Sequence, residues 1–453
     1  MNSEEIIKKI KESDASKVKI AIADIDGILR GKYIHKKKFL DSADRPLGIC
    51  DVVFGWDSGD VCYDNIAVTG WHTGYPDARA KIDISTFREI PWENATPFFI
   101  ADFSEHELYA KTTCPRSLLK RVAKEAENMG FKTRFAQEFE WFNFTGTPSE
   151  IHRLGFNNLQ PVTPGMFGYS VLRTSLNQKF IHELIDYLEA LNISLEGLHT
   201  ETGPGVYEAA IYYDDILAAA DKAVLFKTAV KEIAYRNNMV ASFMAKWNVK
   251  LPGCGGHIHQ SLWDKDGTLN LFHNTGSERK MSEIMEHYIA GQLLCLPEIL
   301  PMFAPTVNSY KRIGHGDWAP ANATWGFDNR TTAVRVIQGQ TTDSSRIESR
   351  IPGADTNPYL ALAAALASGL FGIKNKLKLE TPETIGNAYN FEKDGILPRN
   401  LKDATEKMAN SDLAKQLFGS EFVDHFTKTR EWEWRQFENQ VTDWELKRYF
   451  EII

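Results

Sequence analysis

In Ser345-Arg346-Ile347-Glu348-Ser349-Arg350-Ile351-Pro352, charge alternates with uncharged residues where a buried strand would alternate polar with core. Side chains two apart on a strand share a face, so Arg346, Glu348 and Arg350 point one way together. Pro352 ends the run, and Asp355-Thr356-Asn357-Pro358 leads into an Ala/Leu-rich helix. Two guanidiniums around a carboxylate suit a metal and phosphate site. Taken alone, the same face equally suits an exposed ion-pair ladder.

A chain of 453 residues is long enough for a large core and for two domains. Its net charge of −8 argues against a dedicated nucleic-acid binder, which needs a basic surface. Cys50, Cys62, Cys114, Cys254 and Cys295 are scattered, without Cys-x-x-Cys spacing. That pattern fits reduced thiols better than disulfides or a zinc site. No apolar run approaches the roughly 18 residues of a membrane span, and Met1–Ser16 is Glu/Lys-rich rather than signal-like. A soluble cytoplasmic protein is expected, with neither membrane nor nucleic acid as partner.

Residues Met1–Glu12 read as a short amphipathic helix. Val18–Gly27 reads as a strand closed by a turn, with a second strand over Ile28–Tyr33 and a later one over Phe98–Phe103. At Thr113-Cys114-Pro115-Arg116 the texture changes; Pro115 suits a first helical position. The boundary falls between Glu105 and Thr112, giving a small β-rich domain over 1–108 and a larger one over 109–453. Helices are expected at Gln178–Asn192, Tyr213–Asn238, Met281–Cys295 and Asn357–Ile373. Between them lie clustered, unusually charged strands, so the class is α+β, built on an antiparallel sheet.

Four further segments carry charge where strands should not. In Arg134–Phe144, Glu138 and Glu140 share a face while Phe135, Phe139 and Trp141 take the other. Carboxylates about 7 Å apart on one face repel unless a cation lies between them. The Gly203-Pro204-Gly205 turn lets Glu201 and Glu208 converge from two sides of a bend. Behind the Gly-rich Gly253–Gly256 loop, His257 and His259 share a face; a His-x-His pair serves as ligands or as satisfied core histidines. Arg312, Arg330 and Arg335 join Arg346 and Arg350 in one stretch of chain. Hard cations such as Mg²⁺ and Mn²⁺ favour carboxylates with an occasional imidazole, and arginine binds carboxylate and phosphate bidentately. Acids for metals beside arginines for anions form the inventory of a nucleotide-dependent phosphoryl-transfer site. No Gly-x-x-x-x-Gly-Lys-Ser/Thr element is present, so this is not a P-loop enzyme.

This set, in this order, resembles the glutamine synthetase superfamily. The landmarks are Glu138-Phe-Glu140, the Glu201–Glu208 turn, Gly253–Ser261 with His257, Asn308-Ser-Tyr-Lys-Arg312, Asn329-Arg330, and Arg346-Ile-Glu-Ser-Arg350 leading to Asn357-Pro-Tyr-Leu. Asp24-Ile-Asp-Gly27 and Gly74-Tyr-Pro-Asp77 extend the likeness into the N-terminal part. The resemblance implies a β-grasp-like N-terminal domain, and a catalytic domain whose curved antiparallel sheet, flanked by helices, forms a funnel. It also implies a homo-oligomeric ring, commonly dodecameric, with sites at subunit interfaces, and two or three Mg²⁺ or Mn²⁺ per site. By position, Glu140, Glu201 and Glu208 would hold one metal; Glu138, His257 and Glu348 would hold another. Arg312 and Arg350 would clamp glutamate near Gly253. Arg330, Arg335 and Arg346, with His259 and Ser261, would address ATP, and Arg330 would act in catalysis. Asp57 of a neighbouring subunit resembles the base for the nitrogen nucleophile.

Departures from the family pattern shape the expected activity. Gly316-Asp317-Trp318-Ala319-Pro320 puts Trp318 where ammonia-using members carry a flap glutamate. Asp57-Ser58-Gly59-Asp60 replaces Asp-Gly-Ser-Ser, Pro252 replaces a common Asn, and Val206 a frequent Gln. A bulky apolar residue at the nitrogen site suits an amine with an alkyl body. The expected activity is ATP-dependent ligation of the glutamate γ-carboxylate to an organic amine (polyamine or alkylamine), through a γ-glutamyl phosphate. Asp60 and Asp64 near Asp57 would attract a diamine, or simply form a solvated acidic loop. Glutamine synthesis from ammonia is the alternative. A non-catalytic relative is disfavoured, since all six metal positions are intact.

Overall fold

A computed structural model describes residues 1–43, 45–313, 318–390 and 395–453. The architecture is α+β, with two sheets. The first carries β1 (Lys17–Ala23), β2 (Leu29–His35), β3 (Leu47–Cys50), β4 (Asp77–Ile82), β5 (Arg88–Ile90) and β6 (Thr96–Asp102). Its order is β2-β1-β6-β4-β3, with β5 also on β6. It is mixed, because β1 and β6 run parallel while its other pairs are antiparallel. Ser3–Glu12 is the N-terminal helix, started by a capping box between Asn2 and Glu5. One apolar core, from Ile6 to Cys114, belongs to this part.

The second sheet carries β7 (Lys132–Thr145), β8 (Leu195–Thr200), β9 (Val206–Ile211), β10 (Met239–Ser242), β11 (Ile258–Trp263), β12 (Trp325–Phe327), β13 (Val334–Ile337) and β14 (Arg346–Ser349). Its order is β12-β13-β14-β11-β7-β9-β8, with β10 also on β7. The expected antiparallel sheet is met with one correction: edge strand β12 runs parallel to β13. β12 pairs through only three residues, too short for a period-two pattern to reveal its direction.

The long β7 organises this sheet. Phe135, Phe139 and Trp141 are fully buried on one face, with Phe139 stacked on Phe226 of helix Ile216–Arg236 at 5.7 Å. That apolar face leaves Glu138 and Glu140 on the other. Pro115 opens helix Pro115–Asn128 at its first turn. Helix Pro358–Lys374, capped by Asn357, crosses helix Glu283–Ile299 at very short range. A Cβ on Gly372 would lie 2.0 Å from the His287 carbonyl oxygen, so only glycine permits that crossing.

Two buried polar clusters help tie the N-terminal part to the rest. The Asn357 amide donates to the Asp24 and Ile25 carbonyls at 3.2 and 3.1 Å, fixing the β1–β2 turn to the start of helix Pro358–Lys374. Buried Arg116 bonds Asp221 with two nitrogens at 2.8 Å and Asp83 at 2.9 Å, and also pairs with Asp102. Among the described residues, no helix is long and apolar enough to cross a membrane.

Candidate active site

The polar face of the second sheet opens into a cavity of about 780 Å³. Its lining includes Glu138, Glu140, Glu201, Glu208, His257, His259, Gly253, Arg312, Trp318, Arg330, Arg335, Arg346, Glu348 and Arg350. Strand register explains the gathering. Glu140 pairs directly with Glu208 across β7 and β9, and His259 with Glu348 across β11 and β14. Residues separated widely in sequence therefore share one face.

Two clusters with metal-ligand chemistry lie there. Ligand atoms of Glu138, His259 and Glu348 all fall within 4.8 Å of one another, as do those of His199, Glu201 and Glu208. His257 Nδ1 is 3.0 Å from Glu138 and 3.5 Å from Glu348, so both imidazoles of the pair reach the first cluster. His259, which the resemblance gives to ATP, also reaches these acids, its Nε2 lying 3.4 Å from Glu138.

The electrostatics call for cations. Burial, then Glu138, Glu140 and Glu201, push the Glu208 carboxyl up to about 10. Glu138 is buried too, but His259 and His257 outweigh that and hold it well below the usual carboxylate range. Burial of Glu348 is outweighed by Arg350, then the two histidines, keeping it at about 2. His257 Nε2 is buried without a hydrogen-bond partner. A Cβ on Gly255 would lie 2.6 Å from that nitrogen and 3.0 Å from Glu140 Oε1, so glycine keeps the space between them open. Carboxylates with imidazole, and room beside them, fit Mg²⁺ or Mn²⁺.

The arginines divide by partner. Arg335 donates to Glu348 Oε2 at 2.8 Å, Arg350 pairs with Glu348 Oε1, and Arg346 Nε donates to His259 Nδ1 at 3.1 Å. Buried Arg312 donates to the Ile351 and Arg350 carbonyls at 2.9 and 3.2 Å, fixing the turn after β14. The Arg330 side chain is exposed to the cavity and has no hydrogen bond or ion pair among the described residues, while its carbonyl accepts from Arg350 Nε at 2.8 Å.

A second cavity of about 390 Å³ adjoins the first and shares Glu138, Glu196, Ala210, His259 and Arg346 with it. Ser261 lies here, accepting from Trp263 Nε1 at 3.0 Å, with Tyr212 and Tyr213 on another wall.

A model of the glutamine synthetase catalytic domain matches residues 112–449. The chain belongs to the glutamine synthetase family. It is accordingly a carbon–nitrogen ligase. It is 50% identical to type-1 glutamine synthetase 2 of Dictyostelium discoideum over 457 residues, covering all of this chain and 87% of that one. It is 37% identical to a glutamate–isopropylamine ligase of Pseudomonas sp, covering all of this chain and 99% of that one. A solved GmaS complex with ADP superposes with a TM-score of 0.84 at 25% identity, covering 98% and 99% of the two chains.

Asp57 stands apart from the residues gathered here: it does not line its own chain's cavity. Its Oδ1 accepts from Gly59 N at 2.8 Å and Val61 N at 3.0 Å, and its Oδ2 from Trp432 Nε1 at 2.9 Å. Asp60 pairs with Arg30 at 2.7 Å, and Asp64 pairs with Arg435. The expected diamine-attracting acids are therefore already matched by cations. Trp318 is 58% exposed at the cavity mouth, with φ +62°. Gly316 and Asp317 of its flap lie outside the described residues.

Three titratable lining residues escaped the sequence reading. His199 lies two before Glu201, so the same-face argument used for Glu138 and Glu140 would have found it. Tyr169 stacks on His199 with ring centres 4.0 Å apart, a contact no local pattern signals. Glu196 sits where β8 slips register against β9 between Leu195 and Gly197, a bulge beside the junction of both cavities.

Proposed function

We propose that this family ligase joins the γ-carboxylate of glutamate to a small organic amine, driven by ATP. The observation that carries the amine class is Trp318 at the cavity mouth, an indole where an ammonium site would need an acid. The pairing of Asp60 with Arg30 and Asp64 with Arg435 favours a monoamine with an apolar body over a polyamine. The likeness to a glutamate–isopropylamine ligase supports the same choice.

A carboxylate is a poor electrophile. The γ-carboxylate oxygen therefore attacks the terminal phosphorus of ATP, ADP leaves, and a γ-glutamyl phosphate forms. The amine nitrogen then attacks the acyl carbon, inorganic phosphate leaves, and one proton passes from nitrogen to a base. Glu138, His257 and Glu348 would hold one divalent cation, and Glu140, Glu201 and Glu208 another. Cations there would neutralise charge on the transferring phosphoryl group. Arg312 and Arg350 orient glutamate beside Gly253. Arg330 reaches the transferring group, Arg335 and Arg346 meet the other phosphates, and His259 and Ser261 line the way to the nucleotide cleft. We place Asp57 as the base, lent by a neighbouring copy in a ring, because it lies outside its own chain's cavity.

Glutamine synthesis from ammonia is the second reading, favoured by the 50% identity to a type-1 glutamine synthetase. Phosphate release with glutamate, ATP and Mg²⁺ separates the two, comparing ammonium with isopropylamine, ethylamine, methylamine, ethanolamine, putrescine and spermidine. Turnover led by an alkylamine supports the proposal; turnover led by ammonium restores glutamine synthesis, and turnover led by spermidine overturns the monoamine assignment.

A further inference from the structure

We propose that His199 is a nitrogen donor to the divalent cation at Glu201 and Glu208, making that centre one of mixed carboxylate and imidazole ligands. This rests on the reading that those acids hold a cation. His199 pairs with Glu208 across β8 and β9, so the two side chains emerge side by side. Its Nδ1 lies 3.1 Å from the Thr200 carbonyl oxygen. A carbonyl only accepts, so Nδ1 carries the proton and the lone pair stays on Nε2. Nε2 lies 3.9 Å from Glu208 Oε2, while Nδ1 is 3.7 Å from Glu201 Oε2, beyond hydrogen-bonding range. Two donors 3.9 Å apart can share one cation with bonds of about 2.1 Å.

The ring is held from the other side as well. Tyr169 stacks on it at 20° between planes. The Tyr169 N–H donates to the same Thr200 carbonyl at 2.6 Å, and Thr200 Oγ1 donates to the Phe167 carbonyl at 3.0 Å. A backbone carbonyl that fixes the tautomer, and an aromatic that fixes ring rotation, are the supports metal-bound imidazoles use. The consequence is selectivity: imidazole in the set favours Mn²⁺ over Mg²⁺ more than carboxylates alone would.

The test is spin-echo EPR of Mn²⁺ on the full-length protein, read for ¹⁴N couplings, with calorimetric Mn²⁺ titration. His199→Gln is expected to lose one set of imidazole couplings and to weaken one Mn²⁺ site by about tenfold or more. Unchanged couplings and affinity overturn the proposal. A His257→Gln/His259→Gln double variant asks the same question without touching His199: a remaining nitrogen coupling supports the assignment, and its absence overturns it. Glu208→Gln separates the premise, because Mn²⁺ binding that ignores this change removes the cation from Glu208 itself.

Discussion

The indole N–H of Trp432 donates to the Asp57 carboxylate across 2.9 Å, joining residues 375 apart in the chain. Tyr63 meets the same indole edge-on at 5.9 Å, so both the direction and the depth of this bond are set. If Asp57 accepts the amine proton, Asp57→Asn lowers kcat by roughly 10²–10⁴-fold, with KM for ATP and glutamate within a few-fold of wild type. Trp432→Phe keeps the ring, removes the donor, and gives a smaller loss of about tenfold. Steady-state kinetics on the full-length protein checks both; full activity in Asp57→Asn removes that residue from proton transfer.

On the proposed reading, Trp318 sets selectivity among amines. Trp318→Ala lowers kcat/KM for isopropylamine by about tenfold, the scale of lost apolar contact, and leaves ammonium nearly unaffected. Equal losses for both amines would mean that the indole shields the intermediate rather than reading the alkyl group.

Cations and fold stability are linked through the acid cluster. Mg²⁺ or Mn²⁺ at a hundredfold excess over its Kd stabilises the native chain by about 2.7 kcal/mol per site. Glu208→Gln takes one acid out of the repulsive set and one ligand out of the site. It therefore melts higher than wild type in chelator and gains less on adding Mg²⁺. Thermal denaturation with and without EDTA measures both effects.

Much of this site was legible because strands obey a period of two. The faces of Arg346–Arg350 and Glu138–Glu140 came from alternation alone, and Pro115 and Asn357 announced their helices by position. Pairings made only by the fold were invisible. Asp60 reads as a free acid until Arg30 arrives from β2, and Asp64 until Arg435 arrives from helix Ser420–Glu438. Tyr169 on His199 belongs to the same class, since a stacking contact between a loop and a strand leaves no spacing rule behind.

Arg116 holds Asp83, Asp102 and Asp221 of helix Ile216–Arg236 at once. Arg116→Met leaves those acids buried with less compensation, and costs about 3–5 kcal/mol of unfolding free energy in urea titration. Tyr359, which donates to Asp221 at 2.7 Å, limits the damage to the C-terminal side of the cluster.

His425 supplies a pH dependence whose sign can be worked out. It is 1% exposed, and neither ring nitrogen has a hydrogen-bond partner. Burial lowers its pKa to about 4; Asp424 opposes the shift while Arg430 and Lys428 assist it. The unfolded chain takes up the proton near the ordinary value of about 6.5. Between these values the unfolded state binds more protons, so stability is full above pH 6.5 and falls as pH drops toward 4, by up to about 3 kcal/mol. Comparing His425→Leu with wild type at pH 7.5 and 5 isolates this from the carboxylates. An identical pH slope for the two proteins would refute it.

The loop from Asp57 to Asn65 takes its partners from the far end of the chain. Trp432 grips Asp57, Arg435 pairs with Asp64, and the Lys428 carbonyl accepts from Asn65 Nδ2 at 2.8 Å. During synthesis these residues emerge well before their partners, which lie more than 350 residues later in the chain. The N-terminal sheet is thus free to form early, yet this loop waits, uncommitted, until helix Ser420–Glu438 has left the ribosome. A chain cut short before that helix would carry every candidate metal ligand and still fail to hold Asp57 in place.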